Sequence, residues 1–362
     1  MEHFLFAAYL ILFAWIITRV KFFTHSGLSN SQLVIFFLIK VMAGILYGWI
    51  GVYYGQMAQM VDTWGYHYES LRELQNLKTN PSLFFTDIFY TPHENGFTRF
   101  LSEDSWWNDL KGNLFVKILA FFQLLSFGNY YINVVFYSFL TLFGPIAIYR
   151  VMDNVFRGKE IPVLLSTFLI PSFLYWTSGI HKDGILFVGF ALIIYSFYFG
   201  LKKEKFSGTK IISIIAGILL VLGLRNFYFI PLIPALLAWW ISVRLKRKPI
   251  AIYSVVYLIF ILFFFTGKYI HPKLDFPAAV AEKQQAFLKL SGGSTVQVNE
   301  IEPTFISFFI NAPQSFALAA IRPFPSDVRH LLSLAAALEI LLLLSLFIAF
   351  LFCRNIHTPY DP

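Results

Sequence analysis

The chain is 362 residues long, 57% hydrophobic and only 13% charged, with a formal net charge of +8. Soluble domains carry roughly 25% charged residues, so a mean hydropathy of +0.65 and repeated apolar runs of about 20 residues exclude an ordinary soluble domain and predict a multi-span membrane protein. The positive charge is no nucleic-acid signature, because it falls in short loops without an RNP, zinc-finger or basic-helix pattern, and the single Cys353 excludes an intrachain disulfide and a cysteine metal cluster.

Continuous apolar runs, rather than alternation with period two, select helices over barrel strands. Spans are expected at 3–19, 33–54, 130–149, 161–179, 184–201, 210–224, 227–243, 250–267 and 330–352. That is an all-α polytopic transmembrane bundle of about nine spans, one integral membrane domain over 1–362. The first run has no basic residues before it and no small-residue cleavage site, so it reads as a retained helix.

One set of short loops holds Arg19 and Lys21, Arg150, Arg157 and Lys159, Lys202 to Lys210, Arg244 to Lys248, and Arg354. The positive-inside rule makes these cytoplasmic. The opposite side then receives two long segments, 55–129 and 268–329, and the turns at 180–183 and 224–226; fourteen of the twenty acidic residues fall there. Any chemistry is expected on that extracytoplasmic face of a plasma (inner) membrane. Ser102-Glu-Asp-Ser105 opens like a helix amino terminus and Gly128-Asn129 closes it. Between them Trp106, Trp107, Lys111 and Lys117 are interspersed with Leu, Phe and Ile, which favours a helix lying along the interface. The stretch 303–320 has the same character, and Ser291-Gly-Gly-Ser-Thr295 is the one linker-like patch.

Charge beside a membrane span is costly and points to function. Asp62 follows the second span and suits a general base or a metal ligand; it also suits a cap for a helix over 66–77. His67 and Glu69 lie close by, and His67 is a candidate substrate-binding residue. His181-Lys182-Asp183 separates two apolar runs, and two spans, 130–149 and 161–179, lie between it and Asp62, so both acids share a face. Together Asp62 and Asp183 could hold a divalent cation (Mg or Mn) and a phosphate or diphosphate, with His181 and Lys182 stabilising a leaving phosphate. Arg225 suits bidentate phosphate binding or a snorkelling anchor. Arg322, in Arg322-Pro-Phe-Pro-Ser-Asp327, suits a phosphate or sugar hydroxyls, or an ion pair within a stiff turn. Glu339, inside the last run, reads as a structural partner of an Arg or another polar group within the bundle. Glu103-Asp104-Ser-Trp106-Trp107 could stack on sugar rings or anchor the interface.

This layout resembles the GT-C superfamily of polytopic glycosyltransferases, which includes protein O-mannosyltransferases, oligosaccharyltransferase catalytic subunits and aminoarabinose transferases. Asp62 matches the acid of their first long outer loop, 102–127 their interfacial helix, and Asp183, in Ser178-Gly-Ile-His-Lys-Asp183, their second acidic motif. The string Pro171-Ser-Phe-Leu-Tyr-Trp-Thr-Ser-Gly-Ile-His-Lys-Asp183, with Arg322-Pro-Phe-Pro325, is also similar to a group of bacterial membrane proteins associated with surface polysaccharides. The resemblance implies transfer or polymerisation of sugar from a polyprenyl-phosphate- or diphosphate-linked donor onto a glycan or lipid acceptor. Asp62 would be the base, and Asp183, Lys182 and Arg225 would bind phosphate. The chain departs in having an extra amino-terminal helix, one acid in the second motif and no large soluble carboxy-terminal domain. Two other readings are a transporter or flippase of a lipid-linked saccharide, and a non-enzymatic envelope scaffold.

Overall fold

The computed structural model describes residues 2–53, 62–93, 96–98, 100–102, 104–289 and 297–353. Glu94, Glu103, Arg354 and the 291–295 patch lie outside the described residues. Within them, regular structure is entirely helical: α1 (Glu2–Ile17), α2 (Lys21–Thr24), α3 (Asn30–Tyr53), α4 (Asp62–Thr79), α5 (Pro81–Thr86), α6 (Trp106–Ser126), α7 (Tyr130–Val155), α8 (Glu160–Phe168), α9 (Pro171–Ser178), α10 (Lys182–Lys202), α11 (Gly208–Arg225), α12 (Phe229–Leu245), α13 (Pro249–Ile270), α14 (Phe276–Leu288), α15 (Phe305–Ala320) and α16 (Leu331–Cys353).

Six described helical stretches are long and apolar enough to cross a membrane: Asn30–Tyr53, Tyr130–Val155, Lys182–Lys202, Gly208–Leu245, Pro249–Ile270 and Leu331–Phe352. The bent pair α8–α9 raises this to seven, against about nine expected. The difference has local causes. Helix α1 has only 16 residues, about 24 Å at 1.5 Å per residue, short of a hydrocarbon core of about 30 Å. The run 161–179 is not one helix, because the residue before a proline is pushed out of the α region. Ile170 is extended (φ −67°, ψ 118°), Pro171 opens α9, and the two axes differ by 48°. Gly208–Leu245 counts once, yet its 38 residues reach about twice a membrane's thickness. Arg225 leaves the helical region (φ −153°, ψ 73°) and a 3-10 turn over Asn226–Tyr228 follows. Tyr228 then lies 5.6 Å from Phe190 while Trp239 lies 5.2 Å from Phe197. Helix α12 therefore runs alongside α10 in the same direction, and α11 and α12 form a hairpin with Arg225 at its tip.

Two apolar cores hold the bundle. One gathers Ile17, Phe23, Leu33, Phe37, Leu142 and Ile146 from α1–α3 and α7; the other gathers Phe115, Tyr130, Tyr137, Ile185, Val221 and Leu224 from α6, α7, α10 and α11. Missing side chains allow the closest approaches, as they do between membrane helices generally. A Cβ on Gly217 would fall 2.6 Å from the Gly189 carbonyl oxygen of α10, and one on Gly44 would fall 2.5 Å from that of Ser178.

Helix α6 is amphipathic and is not among the candidate spans. Ser105 caps it by accepting from Asn108 N–H at 3.3 Å. The left-handed pair Phe127 (φ 52°) and Gly128 (φ 82°) ends it, and Asn129 Oδ1 starts α7 by accepting from the amides of Tyr131 (2.9 Å) and Ile132 (3.1 Å). This reversal lays α4 and α6 against one end of the bundle. At the other end Arg150 lies over the Tyr195 ring (4.8 Å), Lys202 donates to Asn154 (2.5 Å) and Lys210 to the Phe199 carbonyl (2.7 Å).

Candidate functional site

Four chain segments meet at the end of the bundle covered by α4: the start of α4, the link from α9 to α10, the start of α10, and the tip of the α11–α12 hairpin. Each is there for a local reason. Trp64 fixes α4 on α7 by stacking on Tyr130 (4.1 Å) and on α3 by donating from its indole to the Gly48 carbonyl (2.9 Å), while Thr63 and Tyr130 share a 2.7 Å hydroxyl bond. The link through Gly179 is extended (φ −64°, ψ 149°), and the Tyr47 ring occupies the place where a Cβ on Gly179 would stand. The Tyr137 hydroxyl donates to the His181 carbonyl, and also fills the space beside Gly184.

The resulting cluster centres on His181, whose side chain is only 7% exposed. Its Nδ1 lies 3.0 Å from Asp183 Oδ2 and its Nε2 lies 3.8 Å from Asp62 Oδ2. Nδ1 is also 3.4 Å from the Asp183 amide, at the outer limit for a hydrogen bond. The shorter charge-assisted contact decides the tautomer, so Nδ1–H donates to Asp183 and Nε2 faces Asp62. Arg225 donates to Asp183 Oδ1 at 3.1 Å. Lys182 Nζ donates to the Tyr66 hydroxyl at 2.8 Å. Asp62, by contrast, is open, with its side chain 71% exposed.

Burial opposes the charged form of His181, but the hydrogen bond it donates to Asp183 and the nearby Asp62 carboxylate outweigh it and raise its pKa above the usual 6.5. The His181 contact holds Asp62 below the usual carboxylate range against its partial burial, helped by the charges of Lys182 and Arg225. Burial first, then the Asp62 charge, pushes the Tyr66 phenol up to about 12, so it stays protonated. With His181 protonated the cluster carries three cations, His181, Lys182 and Arg225, against the carboxylates of Asp62 and Asp183. Arg225 Nε is buried without a hydrogen-bond partner, and a buried unpaired donor calls for a ligand or water. The arrangement can therefore bind an anion beside an exposed carboxylate.

A divalent cation does not fit these residues as a directly coordinated ion. Both oxygens of Asp183 are engaged by cations, Lys182 and Arg225 add positive charge, and no group of three metal-ligating side chains occurs among the described residues. The donor set around Asp62 and Asp183 thus suits an anion better than a directly coordinated cation.

Asp62, His181, Lys182, Asp183 and Arg225 thus come together, whereas His67 and Arg322 are placed elsewhere. His67 packs between α4 and α6, with Gln123 Nε2 3.1 Å from its Nδ1 and Gln123 also bonded to Ser70 (2.7 Å) and Asn133 (2.9 Å). Burial lowers its pKa to about 4. Arg322 pairs with Asp327 at 3.5 Å and lies over Phe324, beside α16. Trp106 and Trp107 donate to the carbonyls of Ile88 (2.7 Å) and Phe97 (3.2 Å), bracing the segment between α5 and α6. Glu339 accepts from the Ser172 amide (2.7 Å) and hydroxyl (2.5 Å). Tyr66 and Tyr137 had no signal in the sequence: each is one aromatic among many, and only the packing of α4, α7 and α10 selects it.

No protein-family model, curated protein or solved structure matches the chain.

Proposed function

We propose that the chain is a membrane-embedded glycosyltransferase or polysaccharide polymerase that uses a sugar linked to a polyprenyl phosphate or diphosphate. The observation that supports this is the exposed Asp62 carboxylate standing against a cationic cluster at one end of an apolar bundle. In the transfer, the acceptor hydroxyl oxygen attacks the anomeric carbon and the bond from that carbon to the phosphate oxygen breaks. Asp62, held ionised by His181, takes the hydroxyl proton. Lys182 and Arg225 stabilise the charge developing on the leaving phosphate, and Asp183 orients both Arg225 and His181. Inversion of this kind needs no protein nucleophile and no step through a metal. The cluster lies on the extracytoplasmic face if the basic end of the bundle, with Arg150, Lys202 and Lys210, is cytoplasmic.

A second reading rests on a separate observation. The broken pair α8–α9, with Lys40 against the end of its second half, is a device transporters use near the bilayer midplane. Movement of a lipid-linked saccharide without bond formation is that alternative.

The test is genetic. Asp62→Asn and Asp183→Asn, expressed in the native host at wild-type level, are expected to remove a surface glycan. Normal glycan in both strains rejects the transferase reading.

A further inference from the structure

Two ionisable side chains inside the membrane-spanning helices are not used by the site, and both act on α9. Lys40, in the middle of α3, is 2% exposed. Its ammonium donates to the Thr177 carbonyl (3.0 Å), the Thr177 hydroxyl (3.3 Å) and the Ser178 hydroxyl (3.2 Å). An ammonium has three donors, and here all three acceptors sit on the last turn of α9, where unpaired carbonyls make the helix end negative. At the opposite end, Glu339 of α16 accepts from the amide and hydroxyl of Ser172, the second residue of α9, where free amides make the helix end positive. A base at the carboxyl end and an acid at the amino end thus grip a helix of eight residues.

Other contacts of α9 are apolar, Tyr175 and Trp176 with Tyr47 and Phe173 with Phe187, and the polar grips at its two ends are what tie its height to α3 and α16. Helix α9 is separated from α8 by the bend of 48° and ends three residues before His181. The chain between is extended and wedged on one side by Tyr47 at Gly179. A half-helix that slid along α3 would carry His181 away from Asp62.

We propose that Lys40 and Glu339 are positioning residues that clamp the two ends of α9 and so set the depth at which the 179–181 link presents His181 between Asp62 and Asp183. The inference rests on the site described above but not on what the site transfers. Its test therefore reads the imidazole directly.

Full-length chain in lipid nanodiscs is labelled at histidine, and the His181 ring is titrated by NMR in wild type, Lys40→Met, Lys40→Arg and Glu339→Leu, with thermal unfolding recorded alongside. His181 faces Asp62, Asp183, Lys182 and Tyr66, and its wild-type midpoint is raised by the two carboxylates against the cost of burial. In Lys40→Met the midpoint falls by about one pH unit, because the imidazole moves off both carboxylates while it stays buried. Lys40→Arg, which keeps the charge and the donors, recovers at least half of that fall. Glu339→Leu lowers the midpoint in the same direction from the other end of α9, and it decides the matter if Lys40→Met does not fold. A His181 midpoint unchanged in every folded variant overturns the clamp and leaves Lys40 and Glu339 as packing groups. A shifted midpoint with no sugar transfer by the wild type upholds the clamp and rejects the transferase reading alone.

Discussion

Replacing Gly44 by alanine tests whether the site is held from behind by close backbone packing. The added Cβ would stand 2.5 Å from the Ser178 carbonyl oxygen and 2.6 Å from Val134 Cγ1. Ordinary van der Waals contact begins near 3.4 Å, so about 1 Å must be found. The Val134 methyl can turn, but the Ser178 carbonyl is backbone, and its residue is held by Lys40 Nζ at 3.2 Å. Overpacking of this kind costs about 1–3 kcal/mol. The displaced residue is three positions before His181, and a 1 Å error in a reacting geometry costs roughly a hundredfold in rate. Gly112 is the internal control: it lies within α6 and a Cβ there meets nothing within 4 Å. Gly112→Ala is expected to stabilise by about 0.5–1 kcal/mol through helix propensity. Both variants are to be melted in the same lipid and assayed for surface glycan. Gly44→Ala should unfold earlier and lose glycan, and Gly112→Ala should do neither. A Gly44→Ala protein as stable and as active as wild type refutes the packing argument.

Three further outcomes follow from the charges. His181 has a raised pKa, so its ion pairs contribute fully below the unfolded value of about 6.5 and are lost as pH rises through the folded one; affinity for inorganic phosphate, measured by calorimetry, should fall over that same rise. His67 runs the other way: with its folded pKa lowered to about 4, acidification from about 6.5 to 4 should remove roughly 3 kcal/mol of stability, and His67→Gln should flatten that part of the unfolding profile. Arg225→Gln should weaken phosphate binding by about tenfold to a hundredfold, the worth of one charged hydrogen bond, with Arg225→Lys between the two; equal binding by all three excludes Arg225 from the anion site.

The parity of apolar runs was enough to bring Asp62 and Asp183 to one end, because a side in a helical bundle is a matter of counting. Their joining through His181 was not legible, since it depends on where α4 lands on α3 and α7, and that is fixed by Trp64 on Gly48 and Tyr130. The break at Ile170 was hidden by its own composition: Leu169 and Ile170 are as apolar as their neighbours, and Pro171 is the sole mark. The tip of the α11–α12 hairpin carries neither Gly nor Pro after Gly223, so only Arg225 and Asn226 hint at it. His67 misleads for a similar reason. A histidine five residues from a candidate base invites a role in the site, but on a helix that spacing turns it away from Asp62, toward Gln123.

The most direct measurement is sugar transfer from a radiolabelled polyprenyl-phosphate or diphosphate sugar by the purified chain in liposomes, compared with Asp62→Asn. The account predicts product with the wild type and at least a hundredfold less with Asp62→Asn, in line with the loss of a general base. Undiminished transfer by Asp62→Asn, or movement of the intact donor across the bilayer by a wild type that forms no product, would contradict it.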